Sequence, residues 1–487
     1  MIMILPYIGV FLLTCFTILI YVAALRKLST RSSPPSYPFI GCLMAFYENR
    51  YRILDWYTDL LSESPTQTIV IKRFGAQRTV ITANPENVEY MVKTNFGNFP
   101  KGKPFTVLLG DLLGSGIFNV DGEMWMTERK LVSHVFTTRS LKDFTENALE
   151  EEVRTRLLPV LERASETNQV IDMQEVLRTF AFNIVCKFSL GIDPASLDLS
   201  FISKAFDVAA MVSARRGAAP IQLLWKFKRF FGIGPEKELK ENVSRIREAI
   251  RGIIKKKKIE MKANDKDLLS QMITKGYSDD FVIDMVISFI MAGKDTTSSA
   301  MTWVFWLLSG HSHIQNDLVQ EVRNTGMDYN GLKEMQYMKA SLCESMRLFP
   351  PVAWDSKHPL VADMLPDGTR VYPGDRVTYF PFGMGRMESL WGKDTLEFKP
   401  DRWFAEPDKE GGKLKEVSPY KFAVFQAGPR VCLGKEMAFL QMKYVVASIL
   451  NRFELKPVSL SKPVFVPLLT AHMLGGLKVK VQPRSGR

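Results

Sequence analysis

The first 25 residues carry no charge and are dense in Ile, Leu, Phe and Val. As a helix they would run about 37 Å, enough to cross a bilayer. Arg26, Lys27 and Arg31 follow at once, and no Lys or Arg precedes the apolar run. The positive-inside rule then puts the rest of the chain in the cytosol. A cleaved signal peptide fits less well, because the run is too long and lacks a basic start. Residues 26–41 read as a basic, Pro-rich, stiff linker. From residue 42 to 487 no repeat or linker interrupts the pattern, which predicts one large domain. Residues 68–73 and 78–82 alternate around Gly75, a hairpin pattern. Asn84 and Pro85 suit the N-cap and first position of a helix. Helical spacing dominates from about 140 to 350, and 279–310 reads as one helix of roughly 45 Å with Ser278 as its cap. From 351 to 420 Pro, Gly and Asp are frequent, with strands near Arg370–Val371 and Arg376–Tyr379. Residues 434–452 read as an amphipathic helix and 463–481 as a hairpin. The fold class is α+β, mainly α, with a smaller strand-rich part and a transmembrane anchor over 1–25.

Composition narrows the class. With 46% apolar and 24% charged residues in 487, the chain is globular and has ample core. Disordered, collagen-like and polytopic membrane chains are excluded. Cys15, Cys42, Cys186, Cys343 and Cys432 are odd in number, widely spaced and form no CxxC. They are no disulfide framework, so any special cysteine acts alone in a reducing compartment. The net charge of +12 gives a solvated basic surface, with attraction to an anionic membrane or an acidic protein. Nucleic acid has no support, since Lys255 to Lys258 lack interleaved aromatics. No GxSxG, Walker or GxGxxG pattern is present. His311 and His313 are two apart and make a poor metal pair. With no flavin or nicotinamide fingerprint, electrons must come from another protein.

The segment FQAGPRVCLG, ending at Gly434, carries the chemistry. Cys432 precedes a helix, whose free N–H groups and dipole favour thiolate over thiol. Arg430 adds a cation. Gly428 and Gly434 permit close approach of something bulky and flat. A thiolate in a glycine-lined loop suits an axial haem ligand. Five positions match F-x-x-G-x-R-x-C-x-G, too many for a chance core cysteine.

At these residues the chain resembles the haem-thiolate monooxygenases, the cytochrome P-450 family, and the likeness extends over essentially its whole length. Trp125 and Arg129 are similar to the W-x-x-x-R helix, whose side chains hold haem propionates. AGKDTT, with Asp295 and Thr296, is similar to the oxygen-activating motif. Glu344 and Arg347 match E-x-x-R, and PDRW, with Arg402, matches a motif usually written P-E-R-F. That triad implies a structural lock on the loop carrying Cys432. By helix geometry, Thr296 can bond back to the preceding turn, whereas an acid and alcohol beside Gly293 can open a groove and relay protons. Lys294 falls on another face and reads as solvated.

The resemblance implies haem (iron protoporphyrin IX) bound by Cys432, with Trp125, Arg129, Phe425, Gly428, Arg430 and Gly434 around it. It implies an NADPH-cytochrome reductase partner, an endoplasmic reticulum membrane location and an apolar small-molecule substrate. Arg129, Lys130, Lys421, Arg430 and Lys435 are candidate reductase contacts by charge. Segments such as PPVAWDSKH and GRMESLWG resemble plant end-of-chain hydroxylases, which implies attack on the terminal methyl of a fatty acid. A sterol side chain or a jasmonoyl–amino acid conjugate stays open as the substrate. A reductase-independent haem-thiolate isomerase or dehydratase, and a membrane-anchored binding protein without turnover, remain as alternatives that the Asp295–Thr296 pair disfavours. Channel segments are expected at 105–118, 205–219, 288–295, 351–355 and 468–472.

Overall fold

The hairpin around Gly75 forms. Thr68–Ile71 pairs antiparallel with Thr79–Thr82, from Thr68 opposite Thr82 to Ile71 opposite Thr79. Gly75 takes φ +70°, a conformation that residues with a Cβ resist. Thr79–Thr82 also pairs in parallel with Arg376–Tyr379, and Asp355–Lys357 completes a four-stranded sheet. The Asn84 side chain accepts from the Glu86 N–H at 2.9 Å and caps the helix that Pro85 begins. This computed structural model describes residues 5–26, 33–37, 40–194, 200–219, 222–261, 267–405, 412–459 and 461–484.

The chain divides into two compact units. One, residues 1–99, 220–222 and 354–395, holds the four-stranded sheet. The other, residues 100–219, 223–353 and 396–487, is helical and contains the whole candidate site.

The helical unit is built on one long helix, Asp279–Ser309, with Ser278 capping it as expected. Its residues 282–288 and 297–305 are buried. Met173–Leu190 packs along it so closely that a Cβ on Gly293 would come within 2.8 Å of a Val185 methyl. Gly293 therefore has a packing reason of its own. Trp303 stacks on Phe349 at 4.1 Å between ring centroids, tying the long helix to the end of Gln336–Leu348.

Two expectations are corrected at the C-terminal end. Lys435–Leu450 is buried on nearly all sides rather than amphipathic, and Lys443 donates to the Leu332 carbonyl at 2.6 Å. The 463–481 hairpin splits. Phe465–Val466 pairs with His472–Met473, while Lys478–Pro483 pairs with Phe453–Pro457. Gly475 and Gly476, at φ +79° and +77°, redirect the chain between the two.

At the N-terminus a helix forms over Leu5–Arg26. Its described side chains, Phe11 to Tyr21, are mostly apolar and exposed. Among the described residues no helix is long and apolar enough to cross a membrane, so the expected anchor is not shown. Of the expected linker, residues 27–32 and 38–39 lie outside the described residues.

Candidate active site

Two 3-10 turns, Ala423–Phe425 and Gly428–Arg430, shape the cysteine loop. Gln426 and Gly428 take φ +61° and +65°, and the Cys432 N–H closes the loop on the Phe425 carbonyl at 2.8 Å. The Phe425 ring rests on Phe439 of the following helix, 5.2 Å between centroids. Gly434 is that helix's N-cap. A Cβ there would touch Phe136 at 3.8 Å and the Cys432 sulfur at 4.0 Å, so it would narrow the approach to the sulfur without a clash.

The sequence predicts a thiolate at Cys432. In the folded chain, burial instead pushes the thiol up, against the Gly434 N–H, Arg129 and Lys435, which pull it down. Yet the side chain is exposed. Both hold if the sulfur faces a hollow walled by protein, accessible but poorly solvated. The helix end and the cations do not win alone, and a metal ion at the sulfur would displace the proton.

The long helix supplies a matching opening. Between its buried flanks, Phe289, Met291, Ala292, Gly293, Asp295 and Thr296 are only half-buried. Phe136 stacks on Phe289 at 6.2 Å and also lies beside Gly434, so the opening and Cys432 share an aromatic wall. The Thr296 hydroxyl donates to the Ala292 carbonyl at 2.5 Å, which leaves its oxygen lone pairs free to accept. The helix is continuous there. Lys294 overturns its expectation. It is 1% exposed, and its Nζ donates to Asp207 and, at 3.0 Å, to Asp295. Arg178 faces the same two carboxylates. No single-residue property signals this, because the partner carboxylate sits 87 residues away.

On the Gly122–Ser133 helix, Trp125 is buried and Arg129 donates to the Val431 carbonyl at 2.8 Å, next to Cys432. Arg430 lies 4.5 Å over the Trp125 ring and donates to Asp121 at 2.7 Å and the Val120 carbonyl at 2.8 Å. Asp121 also accepts from the Lys101 and Gly102 N–H groups, so it ties the cysteine loop to the start of Gly102–Leu113. Sequence reading missed this role of Asp121. It also missed Glu128, buried with neither carboxylate oxygen bonded.

Glu344 and Arg347 are both fully buried and joined by two bonds of 2.8 Å. Arg402 donates to the same carboxylate at 2.8 Å, completing the expected triad. The Lys399 N–H and the Trp403 indole add donors at 3.0 and 2.9 Å. The three side chains thus meet in one buried carboxylate–guanidinium cluster.

These residues fit haem. Cys432 offers one exposed thiol, the half-buried Phe289, Met291 and Ala292 offer an apolar stretch of the long helix that shares Phe136 with the cysteine loop, and Arg129 stands near the sulfur with N–H groups beyond the one given to Val431. Residues 32–480 match the family described as Cytochrome P450. The Arabidopsis thaliana protein Cytochrome P450 94B1 is 56% identical over 472 residues, 94% of this chain and 92% of its own length. Cytochrome P450 94B3 of the same plant is 53% identical over 470 residues, covering 94% and 93%. Cytochrome P450 94A1 of Vicia sativa is 42% identical over 466 residues, covering 93% and 90%. A match of that extent makes this chain a member of the cytochrome P450 family, which uses haem with an axial cysteine thiolate.

Proposed function

We propose that the chain hydroxylates the terminal methyl of a long aliphatic substrate, a long-chain fatty acid first, using dioxygen and electrons from an NADPH-cytochrome reductase. The observation that supports this is the half-buried apolar stretch Phe289, Met291 and Ala292 of the long helix, which shares Phe136 with the loop of the exposed Cys432. When bound, haem supplies the oxidising power, putting one oxygen atom of dioxygen into a C–H bond and releasing the other as water. The chain's residues do the rest. Cys432 would hold the haem iron through its sulfur. Trp125 and Arg129, the latter already placed beside the cysteine loop by its bond to Val431, would hold the cofactor's carboxylates, and Arg430, fixed by Asp121, keeps the loop in place. Phe289, Met291 and Ala292 exclude water. Asp295 and Thr296 hold and deliver protons, Thr296 through the oxygen left open by its bond to Ala292. A terminal C–H bond is stronger than its neighbours, so positioning must enforce the choice of carbon.

The reduced CO-difference spectrum tests the ligand, and Cys432→Ala should abolish a thiolate-type band. Titration with a fatty acid, a jasmonoyl–amino acid conjugate and a side-chain-hydroxylated sterol then tests the substrate. The compound giving a low-to-high-spin shift is the substrate class, and a shift only with the sterol or the conjugate overturns the fatty-acid reading. Thr296→Ala should lower product per NADPH several-fold and release peroxide, and unchanged coupling would remove Thr296 from the mechanism.

The same reading puts the protein on the endoplasmic reticulum membrane, with the catalytic part in the cytosol. The uncharged run over 1–25 supports it. So does Gln222–Phe231, where Leu223, Leu224, Phe227, Phe230 and Phe231 are exposed among Lys226, Lys228 and Arg229. An apolar face flanked by cations suits an anionic lipid surface.

A further inference from the structure

We propose that Lys294 is the positioning residue of the Asp295–Thr296 pair. Its buried ammonium, shared with Asp207, holds the Asp295 carboxylate in place. This rests on the proton-delivering role given to Asp295 above.

A lysine is almost never fully buried unless paired. Lys294 is 1% exposed in the middle of a helix whose flanks are apolar. Neighbours one apart on a helix do not ordinarily face each other. Here the Lys294 Nζ still reaches Asp295 Oδ1 at 3.0 Å, because Asp207, from Ser200–Ala218, draws the ammonium to the same side. Arg178, from Met173–Leu190, lies 2.5 Å from Asp207 and 3.6 Å from Asp295, and its other contact is Glu175 at 3.1 Å. His472 lies beside the group. Burial, and Arg178 after it, push its imidazole down, so it adds no charge at neutral pH. Two cations thus balance two inner carboxylates. Without Lys294, Asp207 and Asp295, whose side chains are 33% and 21% exposed, would share one guanidinium. The hydroxyl of Thr296 is held by Ala292, not by Asp295. The acid therefore takes its position from charges outside its own helix.

The test compares K294M, K294Q, K294R, D295N and D207N/K294M in the full-length haem protein with reductase. Coupling, as product per NADPH, is read beside the substrate dissociation constant from the spin shift. K294M and K294Q should lose coupling about tenfold with substrate affinity within twofold, and K294R should recover most of it. D207N/K294M should stay uncoupled. Wild-type coupling in K294M, or in K294Q should K294M fail to retain haem, would overturn the proposal. So would full recovery in D207N/K294M, which would make Lys294 only a counter-ion for Asp207. Melting temperatures supply a readout free of turnover. K294M and D295N should be non-additive in a double-mutant cycle, and additivity would overturn the contact. If D295N itself stays coupled, the role of Asp295 fails. If D295N uncouples and K294M does not, only the lysine fails.

Discussion

Trp403 stands where the family motif usually carries Phe, and its indole N–H has a use that Phe cannot supply. It donates to Glu344 Oε2 at 2.9 Å, inside a carboxylate site closed to solvent. Removing one donor from a buried charged acceptor costs about 1.5–3 kcal/mol. Trp403→Phe should therefore lower unfolding free energy by about 2 kcal/mol in urea titrations while leaving the CO-difference band of the folded fraction in place. No change in stability would mean that the neighbouring N–H groups of Lys399 and Arg402 satisfy the carboxylate alone. The spacing of Glu344 and Arg347 made their pairing readable in advance, because i, i+3 positions share a helix face. Nothing in spacing marks Trp403, since its partner lies 59 residues away.

The Gly122–Ser133 helix carries Trp125 and Arg129 toward the cysteine loop, and Glu128 at a buried position nearer the long helix. Burial first, and the Asp284 carboxylate second, push Glu128 up to about 7 from its usual 4.5. Asp284 is itself held by Arg247 and the Ser115 N–H. An acid whose folded pKa is raised binds its proton more tightly when folded. Its contribution to stability is whole below about 4.5 and is lost as pH rises through about 7. The shift corresponds to roughly 3 kcal/mol at most. Glu128→Gln should remove this limb: the wild-type protein should lose melting temperature relative to the variant between pH 5 and pH 8. Parallel profiles would show that Glu128 does not titrate in that range. At this scale legibility was uneven. The hairpin at Gly75, the Asn84 cap and the Ser278 cap follow local rules, and all three form. The misreadings, solvated Lys294 and a single hairpin over 463–481, came where distant partners decide. A lysine reads as surface until Asp207 arrives, and two glycines turn a strand toward Phe453–Pro457.

Over the whole molecule the charge of +12 makes an acidic flavoprotein a favourable partner. The candidate contacts do not share one fate, however. Arg430 is committed to Asp121, and Arg129 to the Val431 carbonyl. Lys421 is half-buried, and burial, with Lys415 and Arg402 near it, pushes its ammonium down. Lys130 and Lys435 remain exposed, each next in sequence to Arg129 or to the loop-ending Gly434. A docking field should therefore rest on these two. At 0.1 M salt the screening length is about 10 Å, so a long-range attraction should weaken across that range of ionic strength. Lys130→Glu/Lys435→Glu should slow the first electron transfer from reductase several-fold at low salt and flatten its salt dependence. Arg430→Glu should behave differently, because it sets two carboxylates together at Asp121: haem content should fall, and electron transfer into the remaining haem protein should keep its salt slope. If the double lysine variant is reduced at the wild-type rate with the wild-type slope, the docking face lies elsewhere. The basic surplus would then be left to serve an anionic lipid surface beside Lys226, Lys228 and Arg229.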